Sequence, residues 1–96
     1  MKILAFEVEK LGLIAADFAP HLKDEASRAW ELQQAGVIRE LYFRADQHTA
    51  VLVLECPSLE DAQAALNTLP LVEHGLITFD LVPLIPYDGF ARLFAE

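Results

Sequence analysis

Leu69–Pro86 reads LPLVEHGLITFDLVPLIP, and the placement of its apolar residues decides how the chain folds. The spacing predicts a strand from Leu76 to Leu84, launched from a Leu-Pro-Leu turn and stopped by Pro86, which has no N–H to continue a ladder. At a period of two, Ile77, Phe79 and Leu81 fall on one side of this strand, and Leu76, Thr78, Asp80 and Val82 on the other. An antiparallel strand with one wet face alternates apolar and polar residues, and neither side here is clearly polar. One side therefore packs on helices and the other on a further surface. A chain of 96 residues is too short to supply a second layer of its own, so a second copy is expected there.

Upstream, Ile3–Val8 reads as the first strand, with Leu4, Phe6 and Val8 on one face and Ile3, Ala5 and Glu7 on the other. Asp17 is placed to cap a helix running from Phe18 to Ala35, with Gly36 as its stop. At about 100° per residue, Leu22, Ala26, Ala29 and Gln33 share one narrow arc of that helix, and the arc must face the sheet. Val37–Arg44 is the second strand, Ala45–His48 a polar turn of hairpin length, and Thr49–Glu55 (TAVLVLE) the third and most β-prone strand. Ser58, with Asp61 three residues on, opens a second helix whose stripe is Leu59, Ala62, Leu66 and Leu69, and Pro70 is expected to end it. The order strand, helix, strand, strand, helix, strand predicts a single α+β domain over residues 1–96. Its packing is a ferredoxin-like βαββαβ fold with a four-stranded antiparallel sheet and both helices on one face.

Composition narrows the function. Hydrophobic residues make up 54% of the chain and the mean hydropathy is +0.30. Both are high for a domain whose surface is large relative to its volume, which points to oligomerisation. The formal net charge of −8 argues against nucleic acid, whose phosphates require clustered Lys and Arg. The single cysteine, Cys56, rules out an internal disulfide and reads as a small buried hydrophobe in a reducing compartment. No stretch approaches the ~18 apolar residues of a membrane span. Glu7, Glu9 and Lys10 interrupt the apolar start before a signal sequence is complete, so a cytoplasmic protein without membrane association is expected. No phosphate loop, paired cysteines or His-x-x-x-His spacing is present, and neither metal nor cofactor is expected. His21, His48 and His74 lie on a helix start, a turn and a loop, and meet only through the fold.

ELQQAG at Glu31–Gly36, LYFR at Leu41–Arg44, LNTLPL at Leu66–Leu71 and VPLIP at Val82–Pro86 resemble muconolactone isomerase and its relatives. The resemblance covers most of the chain from Arg28 onward. This chain carries LYFR where the isomerases carry an Ile-Trp-Arg run. The resemblance implies a small cytoplasmic dimeric α/β barrel that associates further as a homo-oligomer. It also implies an isomerase of aromatic-compound catabolism that moves a double bond in a lactone without metal or cofactor.

Moving a double bond beside a carbonyl needs a base, an acid and a group that holds the enolate charge. Arg44 and Arg39 are the candidate anion holders; Glu40, His21 and His74 are the candidate proton carriers; Tyr42 and Trp30 are the candidate walls. Glu40, Tyr42 and Arg44 share one side of the second strand at i, i+2 and i+4 and can converge, although such a strand also serves as a plain solvated or interface face. Trp30 reads equally as a cap on the core. Gln33, the polar member of the helix arc, either faces a pocket or bonds a strand carbonyl. His21 also reads as a surface partner of Glu25 one turn later. Arg44 offers the planar fork that holds a carboxylate in two places, so the expected ligand is a small organic acid or lactone. The alternatives are a non-catalytic small-molecule-binding or structural dimer and a cofactorless monooxygenase. The tail residues Phe90, Leu93 and Phe94 are expected to be buried, over a pocket or against a partner copy.

Overall fold

The computed structural model describes residues 1–95. Four strands, β1 (Lys2–Glu9), β2 (Ile38–Phe43), β3 (Ala50–Glu55) and β4 (Ile77–Leu84), alternate with the helices α1 (Ala15–Phe18), α2 (Leu22–Gln34), α3 (Leu59–Leu66) and α4 (Pro70–Glu73). The sheet order is β2-β3-β1-β4, and every pairing is antiparallel. This is the ferredoxin-like arrangement expected from the order of the elements. Among the described residues no helix is long and apolar enough to cross a membrane.

The period-two reading of the strands holds in the register. Ile3, Ala5, Leu52, Leu54, Ile77 and Phe79 turn to the helices and are buried, where they meet Leu32, Ala62, Leu66, Leu69 and Leu71. Each of the larger side chains among them contributes about 1.5–3 kcal/mol on full burial, and this one cluster forms the core. On the opposite face Leu4 lies between Val53 and Val82, and Phe6 between Val51 and Asp80. Among the described residues no helix covers that face, so Val8, Tyr42, Val82 and Leu84 remain exposed on the single chain.

Two helix boundaries differ from the sequence reading. The first helix does not run unbroken from Phe18, because Pro20 removes a backbone donor and crowds the preceding turn. Ala19–His21 is a 3-10 turn between α1 and α2. Asp17 is not the cap residue: Ile14 holds that position, and the Asp17 carboxylate accepts the Ile14 N–H at 2.7 Å from inside α1. Pro70 does not end a helix but opens α4, occupying a first-turn position where its missing N–H leaves no bond unmade. At the other end of α2 the stop is as expected. Gly36 takes φ +79°, a backbone conformation that a side chain would strain.

The tail forms a 3-10 helix over Gly89–Phe94. Tyr87 meets Phe90 edge-on, with ring centres 4.9 Å apart, and Gly89 lies directly under the Tyr87 ring, where a Cβ would collide. Phe90, Leu93 and Phe94 are 68%, 75% and 84% exposed. Within one chain the expected burial of the tail therefore does not occur.

Candidate functional site

The α2 arc read from the sequence faces the sheet without filling the space beneath it. Ala26 and Ala29 on α2 stand opposite Ala50 and Leu52 on β3, and small side chains leave a partly open cavity of about 710 Å³ between the layers. Phe18 and Leu22, Ile38 and Leu41 from β2, Leu69 and Leu71, and Phe79 from β4 complete its apolar lining. The lining is mostly apolar, as in sites that enclose small organic molecules.

Three carboxyl groups line this cavity: Glu7 and Glu9 from β1 and Glu25 from α2. The Glu7 Oε1 accepts the Ala50 N–H at 3.0 Å, and the Glu25 Oε1 accepts the Leu71 N–H at 2.9 Å. Each is thus anchored to a neighbouring element by one oxygen. Burial raises the pKa of both above the ordinary 4.5, opposed by the backbone N–H that each accepts. The charges of Glu9 and Glu25 and a hydrogen bond shared with Glu9 raise Glu7 further. At the mouth, the His48 ring stacks on Phe43 with centres 3.9 Å apart. Among the described residues lining the cavity there is no Lys or Arg, and no group of three or more His, Cys, Asp or Glu is placed to hold a metal.

The residues singled out in the sequence separate into five places. Trp30 and Gln33 line the cavity. Trp30 is 63% exposed at its edge and so does not cap the core. The Gln33 side chain makes no hydrogen bond to a strand carbonyl among the described residues, leaving its amide available to the cavity. Glu40 and Tyr42 meet on the helix-free face, the Tyr42 hydroxyl donating to Glu40 at 2.6 Å, a bond that raises the tyrosine pKa. Arg44, at the hairpin, places its fork on Asp46 at 2.9 and 2.5 Å. Arg39 donates to the Gly36 carbonyl at 2.7 Å. Neither arginine lines the cavity. His21 and His74 stack on each other, 4.2 Å apart, outside the cavity lining. His21 does not pair with Glu25, because Glu25 turns to Leu71 instead.

Glu7 and Glu25 were missed as site residues, yet each left a signal. Glu7 follows Ile3 and Ala5 on the helix-facing side of β1, where a charge is out of place. Glu25 is three residues after Leu22 and four before Ala29, beside the arc. What the sequence lacked was the empty space that makes these positions chemically useful. Cys56, 6% exposed, is the buried hydrophobe expected of it, and burial pushes its thiol pKa up.

The raised carboxyl pKa values carry a consequence for stability. A folded-state pKa above the unfolded one means that the native chain binds more protons, so this contribution is full below pH 4.5 and is lost as pH rises through the raised values. Glu7→Gln keeps the oxygen that accepts from Ala50 and removes the titration. The variant is therefore expected to resist urea better than the wild type at pH 7, with the difference closing as pH falls below 4.5. Parallel urea melts across that range provide the check.

No protein-family profile matches the chain, and no curated protein sequence does. Solved structures do. Muconolactone isomerase superposes with a TM-score of 0.74 at 22% identity, covering 92% of each chain. The 5-chloro-2-hydroxyhydroquinone dehydrochlorinase of Burkholderia phenoliruptrix AC1100, solved with 2,5-dihydroxybenzoquinone, superposes with a TM-score of 0.63 at 13% identity, over 93% of this chain and 98% of that one. The likeness spans nearly the whole chain at low identity and is one of fold: the chain has the fold of muconolactone isomerase.

Proposed function

We propose that this protein is a cofactor-independent, isomerase-like enzyme that moves a proton within a small lactone or aromatic-derived ring compound held in the helix-side cavity. The observation that carries this reading is the pair of anchored carboxyl groups, Glu7 and Glu25, which line an apolar cavity where burial raises their pKa above the ordinary 4.5. Glu25, engaged by the Leu71 N–H through one oxygen only, is assigned as the base, and Glu7, which shares a hydrogen bond with Glu9, as the acid. Glu25 takes a proton from the carbon beside the ligand carbonyl, and the electron pair moves onto the carbonyl oxygen. Glu7 returns a proton at the far end of the conjugated system, shifting the double bond. Gln33 supplies an amide donor for the oxygen and Trp30 a flat wall for the ring. The protein solved with a dihydroxybenzoquinone has this fold, which supports a ring compound as ligand.

The test is proton exchange. Incubated in deuterated water with a neutral unsaturated lactone and with hydroxylated quinones, the protein is expected to catalyse deuterium incorporation beside the carbonyl, read by NMR. Saturable binding without exchange favours the non-catalytic binding reading, which the lack of a Lys or Arg among the described lining residues also supports. The working unit in this proposal is a cytoplasmic homodimer, joined by the helix-free faces that carry Leu4, Phe6, Val51, Val53 and Val82. Light scattering at micromolar concentration is expected to give twice the chain mass of 10.7 kDa, and a stable monomer contradicts it.

A further inference from the structure

We infer that the cavity selects neutral ring compounds bearing hydroxyl groups, of the phenol and hydroquinone class, and discriminates against carboxylates. The inference rests on the reading of the cavity as the ligand site and narrows its substrate class. An anionic ligand has to be neutralised where it binds, and Arg or Lys does this in a low-dielectric site. The cavity holds no such group among its described lining residues and instead presents Glu7, Glu9 and Glu25. Of the two candidate anion holders, Arg44 already holds Asp46 on the exposed hairpin and Arg39 donates to the Gly36 carbonyl. A carboxylate entering the cavity would thus sit beside like charges in apolar surroundings, losing its water without gaining a partner.

The same groups suit a hydroxyl. A carboxylate is an acceptor only, and a phenolic O–H donating to Glu25 makes a charge-assisted hydrogen bond of the stronger kind. Glu25 is free to accept because the bond from Leu71 engages Oε1 only. The faces of Trp30, Phe18 and Leu22 take the ring, which fits comfortably within about 710 Å³. The titratable groups facing the bound ligand are Glu7 and Glu9 from β1, Glu25 from α2 and His48 from the hairpin turn. Of these only His48 can carry a positive charge, and it stands at the mouth against Phe43.

Trp30 is the only tryptophan in the chain, and its fluorescence reports occupancy directly. Titrating the full chain at pH 7 with hydroquinone, benzoate and anisole separates donor, anion and plain ring. Hydroquinone is expected to bind at least about tenfold more tightly than either of the others, a difference of roughly 1.4 kcal/mol. In Glu25→Gln, which keeps the oxygen that accepts from Leu71, the preference over benzoate is expected to shrink several-fold as hydroquinone weakens and benzoate improves. Benzoate binding as tight as hydroquinone, no saturable response to hydroquinone, or a preference unchanged in Glu25→Gln overturns the inference. Exchange chemistry on an acidic lactone, combined with tight benzoate binding, overturns it while leaving proton transfer intact. Hydroquinone selectivity without any exchange leaves it standing and removes the catalytic reading.

Discussion

Glu25→Gln is expected to lower turnover of the exchange reaction by about 10²–10⁴-fold, the usual contribution of a positioned general base. The substitution is nearly isosteric, and the amide oxygen still accepts from the Leu71 N–H that anchors the wild-type carboxylate at 2.9 Å. The fold and the cavity are therefore preserved while the proton-accepting lone pair is lost. The effect should fall on kcat more than on KM, because the proton moves only in the transition state. In the wild type the rate is expected to rise with pH through an inflection above the ordinary carboxyl value of 4.5, as burial holds Glu25 protonated longer than an exposed carboxyl. That inflection should vanish in Glu25→Gln. A variant that retains wild-type kcat places the base elsewhere, with His48 at the cavity mouth the first alternative.

Leu54→Ala is expected to cost about 2–5 kcal/mol of stability, the range for removing a buried leucine from a core that relaxes only in part. Leu54 is fully buried and sits on β3 directly between Ile3 on β1 and Ile38 on β2, so the cavity left behind opens at the centre of the sheet. For a domain of this size the melting temperature should fall on the order of 10–20 °C. Tyr42→Phe is the control: Tyr42 is 57% exposed and loses only its surface bond to Glu40, a change expected to stay within about 0.5 kcal/mol in a single chain. A comparable loss in the two variants would mean that the helix-free face, and not the helix-side core, carries the stability. Thermal melts at two protein concentrations distinguish these outcomes, since a face shared with a second copy makes the melting temperature depend on concentration.

The sequence by itself determined the order of the strands, their faces and the residues of the core. Period-two alternation in Ile77, Phe79 and Leu81, and in Ile3 and Ala5, is a local property of a pleated backbone, so a one-dimensional pattern suffices to read it. The same holds for Gly36 as the end of α2 and for Ser58, whose hydroxyl accepts the Asp61 N–H at 3.1 Å to open α3. Trp30 and Gln33 could be named as ligand-facing candidates because they lie on or beside a helix arc of fixed angle. Pro20 was equally legible, but its break of the first helix was overlooked.

Only the tertiary structure decided which side chains line the cavity. His21 and His74, 53 residues apart by their numbering, meet in a stack because α4 folds back against α2, and no spacing along the chain encodes that contact. Arg44 looked poised for a ligand until the hairpin turned Asp46 back onto its fork. Glu25 read as a surface partner of His21, and Glu7 as a charge on the helix-facing side of β1, until α2 settled over the sheet and left both on an apolar cavity. A pKa shift depends on the solvent removed and the charges brought near, both of which arise from packing between distant segments. The fold was therefore written in local periodicity, while the site emerged from the space that the packed layers leave unfilled.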